Sequence, residues 1–313
     1  MSLVAHVVSH GPHCLDGVTA AVAVARYQTG RAEVVARFAS NSEVDGVLRS
    51  LDPAPGDELW ITDISWRDAD TDAHLTRLAE SGVRVYWIDH HRTALERFRS
   101  GQVKVPFADR VLSEEYAASR LVYQYLSARL AGEGRKAPAF DAFAPVVALA
   151  DDNDRWLHRI PGSRELAHVV RILGADAFED FLTIDAAVTY TPRMAVARDR
   201  AAAEIARSFA VATASRVERR IGDVLLVTAV CDGHPSEVAD AWGKATPGAV
   251  FALYDAKSLA VSLRRSPDCT VDLSRVAGAL GGGGHAAAAG CELPELRRGL
   301  AEALAARVGE HLG

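Results

Sequence analysis

"VYWIDHHRTA", residues 85–94, sets a run of apolar residues directly against Asp89, His90 and His91. Val85 to Ile88 suit a buried strand, where β-branched and aromatic side chains pack well. Three ionisable side chains at the mouth of such a strand are costly to place unless something engages them. A metal ion is the first candidate to weigh.

Three more strand patterns precede it: "LVAHVVSH" (3–10), "AEVVARFA" (32–39) and "DELWITDIS" (57–65). Helical patterns lie between them: "DGVTAAVAVARYQTG" (16–30), "SEVDGVLRSL" (42–51) and "ADTDAHLTRLAESG" (69–82). Alternation of this kind predicts an α/β domain, a parallel sheet with helices on both faces. Such sheets place ligands outside the carboxyl ends of their strands. His10, Asp63, Asp89, His90 and His91 all fall at those ends.

The middle of the chain reads as helical, in "SEEYAASRLVYQYLSARLAG" (113–132), "FDAFAPVVALADDNDRW" (140–156) and "PRMAVARDRAAAEIARSFAVATAS" (192–215), with "GEGRKAPA" (132–139) as a loop. Strands return in "DVLLVTAV", "GAVFALYDA" and "LAVSLRRS", and the helical "VDLSRVAGAL" and "LPELRRGLAEALAARVGEHL" flank a glycine run. The expected organisation is a catalytic domain over 1–190, a linker helix over 191–215 and a smaller α/β domain over 216–313. No internal repeat is visible.

Of the 313 residues, 49% are apolar and 24% charged, enough for a substantial core in each domain. A net charge of −6 gives no broad basic footprint for long nucleic acid, while leaving room for a local patch that binds a short anion. The chain shows no stretch of 18 apolar residues and no charged leader before a cleavable apolar segment. Four widely spaced cysteines, Cys14, Cys231, Cys269 and Cys291, suit reduced thiols better than disulfides. The expectation is a soluble, cytoplasmic protein without a membrane partner, whose exposed middle helices permit a homodimer.

The ionisable residues gather in four clusters: His10, Cys14 and Asp16 in "SHGPHCLDG"; Asp63 in "ITDIS"; Asp89, His90 and His91; and Asp151, Asp152 and Asp154 in "ALADDNDRW". Taken singly, each has a bland reading. Asp16 suits a helix N-cap, paired histidines suit a solvated surface, and the aspartates suit an acidic turn. Taken jointly, at successive strand ends, they form the inventory for a pair of divalent ions. Imidazole and carboxylate ligands suit Mn²⁺, with Zn²⁺, Fe²⁺ and Co²⁺ as competitors. Two ions about 3.5–4 Å apart can clamp a phosphate and activate a water.

"IDHH" after a strand, preceded by His10, Asp16 and Asp63 and followed by "DDNDRW", resembles the DHH phosphoesterase superfamily. That group includes single-strand exonucleases, nano-RNases and pAp phosphatases. The resemblance implies His10, Cys14 and Asp63 as ligands of one ion. It implies Asp16, Asp63, His90 and Asp152 around the other, with Asp63 bridging and Asp151 the rival to Asp152. Asp89 is implied to position His90, as carboxylates do for metal-bound imidazoles, and His91 to face the reacting phosphate. Cys14 departs from the family pattern, which has aspartate there; a softer ligand shifts preference toward Zn²⁺ or Fe²⁺.

A second constellation is "LGGGGHAAAAG", residues 280–290. Glycine lets backbone N–H groups approach an anion closely, and the alanines predict a helix whose N-terminus faces the same place. With the upstream "LAVSLRRS", this segment resembles the DHH-associated C-terminal domain. That implies Arg264 (Arg265 the alternative), Gly282, Gly283, Gly284 and His285 as substrate contacts. The function expected is metal-dependent hydrolysis of a phosphomonoester or phosphodiester in a nucleotide or short single-stranded oligonucleotide, as in an exonuclease. The alternatives are a polyphosphate or pyrophosphate hydrolase, and a nucleotide-binding sensor weakened at Cys14.

Overall fold

The computed structural model describes residues 3–312, and the chain falls into two compact units that divide between Asp199 and Arg200. The first opens with β1 (Val4–His10), α1 (Leu15–Gln28), β2 (Glu33–Ala39), α2 (Val44–Arg49), β3 (Glu58–Thr62), α3 (Ala69–Glu80), β4 (Arg84–Asp89), α4 (Arg92–Arg99) and β5 (Asp109–Leu112). The strands form one sheet in the order β2-β1-β3-β4-β5, every pair parallel. This is the α/β sheet expected. Its order reverses beside β1, so the ends of β1 and β3 flank the crevice where open parallel sheets bind ligands.

Two apolar layers account for the strand sequences. Alternate side chains of a strand point to opposite faces. Leu59, Ile61, Val85 and Trp87 join one core with residues of α2 and α3, while Trp60, Tyr86 and Ile88 join the other with α1. A strand covered on both sides reads as a continuous apolar run, which is why β3 and β4 stand out in the sequence. Every residue of α1 is buried. It is apolar on all sides apart from a few anchored polar groups, as a helix enclosed by others must be.

Five further helices complete the layer: α5 (Ala118–Gly132), α6 (Pro138–Asp141), α7 (Ala144–Asp154), α8 (Ser163–Leu173) and α9 (Asp176–Thr183). The division between units falls inside α10 (Pro192–Ala214). α4, β5, α8 and α9 are additions to the elements legible in the sequence. β5 has four residues and no buried one, so it lacks the apolar run that marks its neighbours.

The second unit contains β6 (Val217–Ile221), β7 (Val224–Cys231), α11 (Pro235–Ala245), β8 (Ala249–Asp255), β9 (Ala260–Arg265), α12 (Leu273–Ala279), β10 (Gly283–Gly284), β11 (Ala288–Cys291) and α13 (Pro294–Gly309). Its sheet runs β10-β11-β9-β8-β7-β6, with only β7 and β8 parallel. Here the structure corrects one expectation. The alanines after the glycine run form no helix; they turn back as a hairpin, Gly283 opposite Gly290 and Gly284 opposite Ala289. A strand partner for the backbone outweighs alanine's helix propensity, because β9 offers an edge on which Ala288 pairs with Arg264.

Candidate metal centre

Asp63 sits one residue beyond β3 in a left-handed conformation, φ 58°, which aspartate tolerates better than most residues. Its N–H still donates to the Ile88 carbonyl (3.0 Å), so the turn is fixed to the end of β4. This geometry directs the carboxylate sideways across the strand ends. Oδ2 lies 3.6 Å from His10 Nδ1 and 3.6 Å from Cys14 Sγ; Oδ1 lies 3.3 Å from His90 Nε2. The two oxygens of one carboxylate thus face two separate sets of donors.

The second set is completed by Asp16 and Asp154, whose Oδ2 atoms lie 3.9 and 3.7 Å from His90 Nε2. Asp16 is held from behind: its oxygens accept the N–H groups of Ala118 (2.8 Å) and Ser119 (2.9 Å) at the start of α5. It therefore caps α5 rather than its own helix, where Cys14 occupies the N-cap position. Gly17 lets this turn close on β1. A Cβ there would lie 2.0 Å from the His10 carbonyl oxygen and 3.1 Å from Asp63 Oδ2.

One ligand assignment is corrected. Asp152 does not join the cluster: it accepts the Arg159 N–H (2.8 Å) and the Ser163 hydroxyl (2.6 Å), tying down the connection to α8. Asp151 holds the Ala117 N–H and the Arg120 guanidinium, both at 2.9 Å. The member supplied by α7 is Asp154. Its signal was present in the helical period: Val147 and Ala150 are core residues, and Asp154 follows them at the spacing of the same face.

Asp89 also acts differently from expectation. Its Oδ1 accepts His91 Nδ1 at 2.7 Å and the backbone N–H groups of His90 and His91, while Ser65 donates to Oδ2 at 2.9 Å. The imidazole it orients is therefore that of His91, and it touches His90 only through the main chain. Asp89 is fully buried, whereas the His91 side chain is 45% exposed. Ser65, unnoticed in the sequence, completes this support.

The electrostatics describe a place built for cations. Burial and the charges of Asp63 and Asp154 push the Asp16 carboxyl well above its ordinary range. Burial, then Asp63, raises Asp154 as well. Burial opposes ionisation of Asp63, but the His10 and His90 imidazoles beside it outweigh that and hold the carboxyl low. Burial alone would lower His90; Asp63, Asp16 and Asp154 instead lift it to about 9. Burial and the neighbouring carboxylates push the Cys14 thiol far up, so a thiolate there requires a compensating cation. His90 Nε2 is buried without a hydrogen-bond partner.

Three overlapping groups among the described residues could each hold a cation, His10–Cys14–Asp63, Asp16–His90–Asp154 and Asp63–His90–His91, with donor atoms in each within 4.8 Å of one another. The donor chemistry fits a pair of divalent ions: anionic oxygens, imidazole nitrogens and one sulfur.

In the second unit, Arg264 donates to the Ser236 hydroxyl (2.8 Å) and the Leu263 carbonyl (2.9 Å), and Arg265 donates to the Val271 carbonyl (2.7 Å). Gly282 and Gly284 are required by the hairpin, since a Cβ at either would meet β11 at 2.1 and 2.5 Å. Gly283 pairs with Gly290, and His285 is exposed at the turn, its N–H given to Ala288 (2.8 Å). With no helix following, the glycines form a turn beside Arg264 rather than a helix-terminal cradle.

A parallel sheet whose β1, β3 and β4 ends pool histidine and aspartate around one shared carboxylate is the arrangement that the resemblance to the DHH phosphoesterase superfamily implies. The chain is 27% identical over 309 residues to oligoribonuclease NrnB of Bacillus subtilis (strain 168), spanning 93% of this chain and 73% of that protein. In fold it is similar to PggH, a pGpG-specific phosphodiesterase from Vibrio cholerae, with a TM-score of 0.56, 12% identity and 99% of each chain covered. It is similar also to RecJ of Thermus thermophilus in complex with Mn²⁺, with a TM-score of 0.55 and 20% identity over 97% of this chain and 52% of RecJ. No family model matches the sequence.

Proposed function

We propose that this protein is a metal-dependent phosphodiesterase that hydrolyses nucleotides or short oligonucleotides. The observation that carries the reading is the Asp63 carboxylate, one oxygen toward His10 and Cys14 and the other toward His90. That is the placement a bridging ligand needs. In this reading His10, Cys14 and Asp63 hold one ion, and Asp16, Asp63, His90 and Asp154 hold the other. Bound there, the pair supplies Lewis acidity and a nucleophile drawn from water.

The protein's own groups do the positioning. Asp89 takes the proton side of His91 Nδ1, which leaves Nε2 to face substrate as a donor to the phosphoryl or leaving oxygen. Its bond to Asp89 raises the His91 pKa, with burial opposing, and so favours the protonated, donating form. Phosphoryl transfer depends mainly on positioning and charge stabilisation, so no covalent nucleophile is required. Arg264 and His285 are the second unit's candidate contacts to substrate phosphate.

The similarity to NrnB and to a pGpG-specific phosphodiesterase favours short oligonucleotides and linear dinucleotides as substrates. We take Mn²⁺ as the working ion, with Cys14 drawing the first position toward Zn²⁺ or Fe²⁺. Four free cysteines agree with a reducing, cytoplasmic setting. No helix among the described residues is long and apolar enough to cross a membrane.

The decisive experiment follows mononucleotide release from pGpG and from two- to five-residue oligonucleotides with Mn²⁺, before and after chelation. Turnover that stops on chelation and returns with Mn²⁺ is expected. Turnover indifferent to chelation would remove the metal pair from the mechanism.

A further inference from the structure

Immediately beside His91 lies a cavity of about 560 Å³, contained in the first unit. That is within the roughly 300–1,000 Å³ range of small-molecule sites. Asn41, Ser65, Arg67, His91, Thr93 and Gln102 contribute to its wall. Ser65 and His91 both bond Asp89, so the cavity opens directly off the metal centre. Glu96 is the one carboxylate in the lining, and Arg92 pairs with it at 2.9 Å.

The cations in this wall are not equivalent. Arg97 is committed to the Trp66 carbonyl and to Asp72. Among the described residues, no carboxylate pairs with the Arg67 guanidinium. Two acids beside its backbone are already engaged. Asp45 accepts the N–H groups of Arg67 and Asp68 and the Thr71 hydroxyl, and Asp68 pairs with Arg49 at 2.7 Å. Arg67 is exposed, and with Asn41 it also borders a second hollow whose lining includes Phe38, Val47 and the carboxylates of Glu43, Asp45 and Asp68. An unpaired guanidinium with an amide beside it, over a cavity rich in donors, suits a phosphate group.

Resting on the phosphodiesterase reading above, we propose that this cavity takes the nucleotide next to the scissile bond and that Arg67 grips its other phosphate. Arg67 is then a specificity-determining residue: it selects short oligonucleotides that carry a further phosphate one nucleotide from the bond cut. A dinucleoside monophosphate places nothing there.

The test compares pApA, ApAp and ApA as substrates of wild-type protein, Arg67→Ala and Arg67→Lys, with Mn²⁺ and with thermal unfolding as a check on folding. Wild type is expected to favour one end-phosphorylated dinucleotide over ApA; whether this is pApA or ApAp assigns the end that Arg67 holds. In Arg67→Ala that preference should fall about 10–100-fold, chiefly through KM, with part of it restored in Arg67→Lys. A preference equal in wild type and Arg67→Ala overturns the subsite and leaves the phosphodiesterase reading standing. Wild-type protein inert toward all three substrates and toward pGpG removes that reading, and the subsite with it.

Discussion

Asp63 Oδ1 lies 3.3 Å from His90 Nε2, although α3 and the whole of β4 lie between the two in the chain. The contact exists because β3 and β4 are parallel neighbours in register, Thr62 opposite Ile88, so both chains leave the sheet at the same edge. Asp63 then turns back through its left-handed φ and meets the residue that follows β4.

Asp63→Asn keeps the shape of this side chain while removing the charge that both donor sets share. Metal analysis of the purified variant is expected to show fewer bound ions than wild type. Activity should fall by more than about 100-fold, the upper range for residues that merely support a ligand. Full stoichiometry together with full activity would remove Asp63 from its bridging place.

Asp154 and Asp152 should separate function from stability. Asp154→Ala is expected to abolish turnover with little change in unfolding midpoint, since its partner is His90 in the centre. Asp152→Ala loses the acceptors for Arg159 and Ser163 and should cost about 1–3 kcal/mol in denaturant unfolding, with activity per folded molecule retained. The opposite pattern, an inactive Asp152→Ala beside an active Asp154→Ala, contradicts the ligand set.

Asp89→Asn leaves a hydrogen-bonding group under His91 but removes its charge. The pKa of His91 is raised principally by that bond, so the variant imidazole loses its proton at lower pH. Expected are a fall in kcat of about 10–100-fold and an alkaline limb of the pH–rate profile moved downward. An unmoved profile would show that Asp89 has only a folding role.

Gly17→Ala is expected to disturb the centre without touching any ionisable group. The new Cβ would meet the His10 carbonyl oxygen at 2.0 Å, so the first turn of α1 must move away from β1. A loss of about 1–3 kcal/mol is expected, together with weaker metal binding. Gly46→Ala is the control: nothing lies within 4 Å of its Cβ, and in a helix it should be neutral or slightly stabilising. Equal unfolding midpoints for the two variants would refute the close-approach argument.

The second unit carries its own acid-sensitive anchor. Burial opposes ionisation of Asp255, yet the Ser258 hydroxyl and the N–H groups of Lys257, Gly233 and Ser258 outweigh it and lower the pKa. A carboxyl depressed by folding contributes stability above its unfolded value, about pH 4, and loses that contribution as pH falls through the folded value. Asp255→Ala should therefore be destabilised at pH 7 and show a shallower decline than wild type below pH 4, measured by denaturant unfolding across pH. Parallel declines would dissociate Asp255 from the acid transition.

The local order of apolar and polar residues determined the sheet by itself. Runs such as Leu59–Thr62 and Val85–Ile88 state their burial on both faces, and the ionisable residues that follow them declare the edge at which a site must form. Hence His10, Cys14, Asp16, Asp63 and His90 were legible as a group before any coordinates. Where neighbouring candidates differ only in direction, the one-dimensional pattern has no answer. Asp152 and Asp154 lie on different faces of α7, and only the packing of that helix against α1 decides which carboxylate meets His90. Likewise the alanines after Gly284 prefer a helix in isolation but become a strand, because β9 presents unpaired backbone groups that only the folded sheet brings within reach.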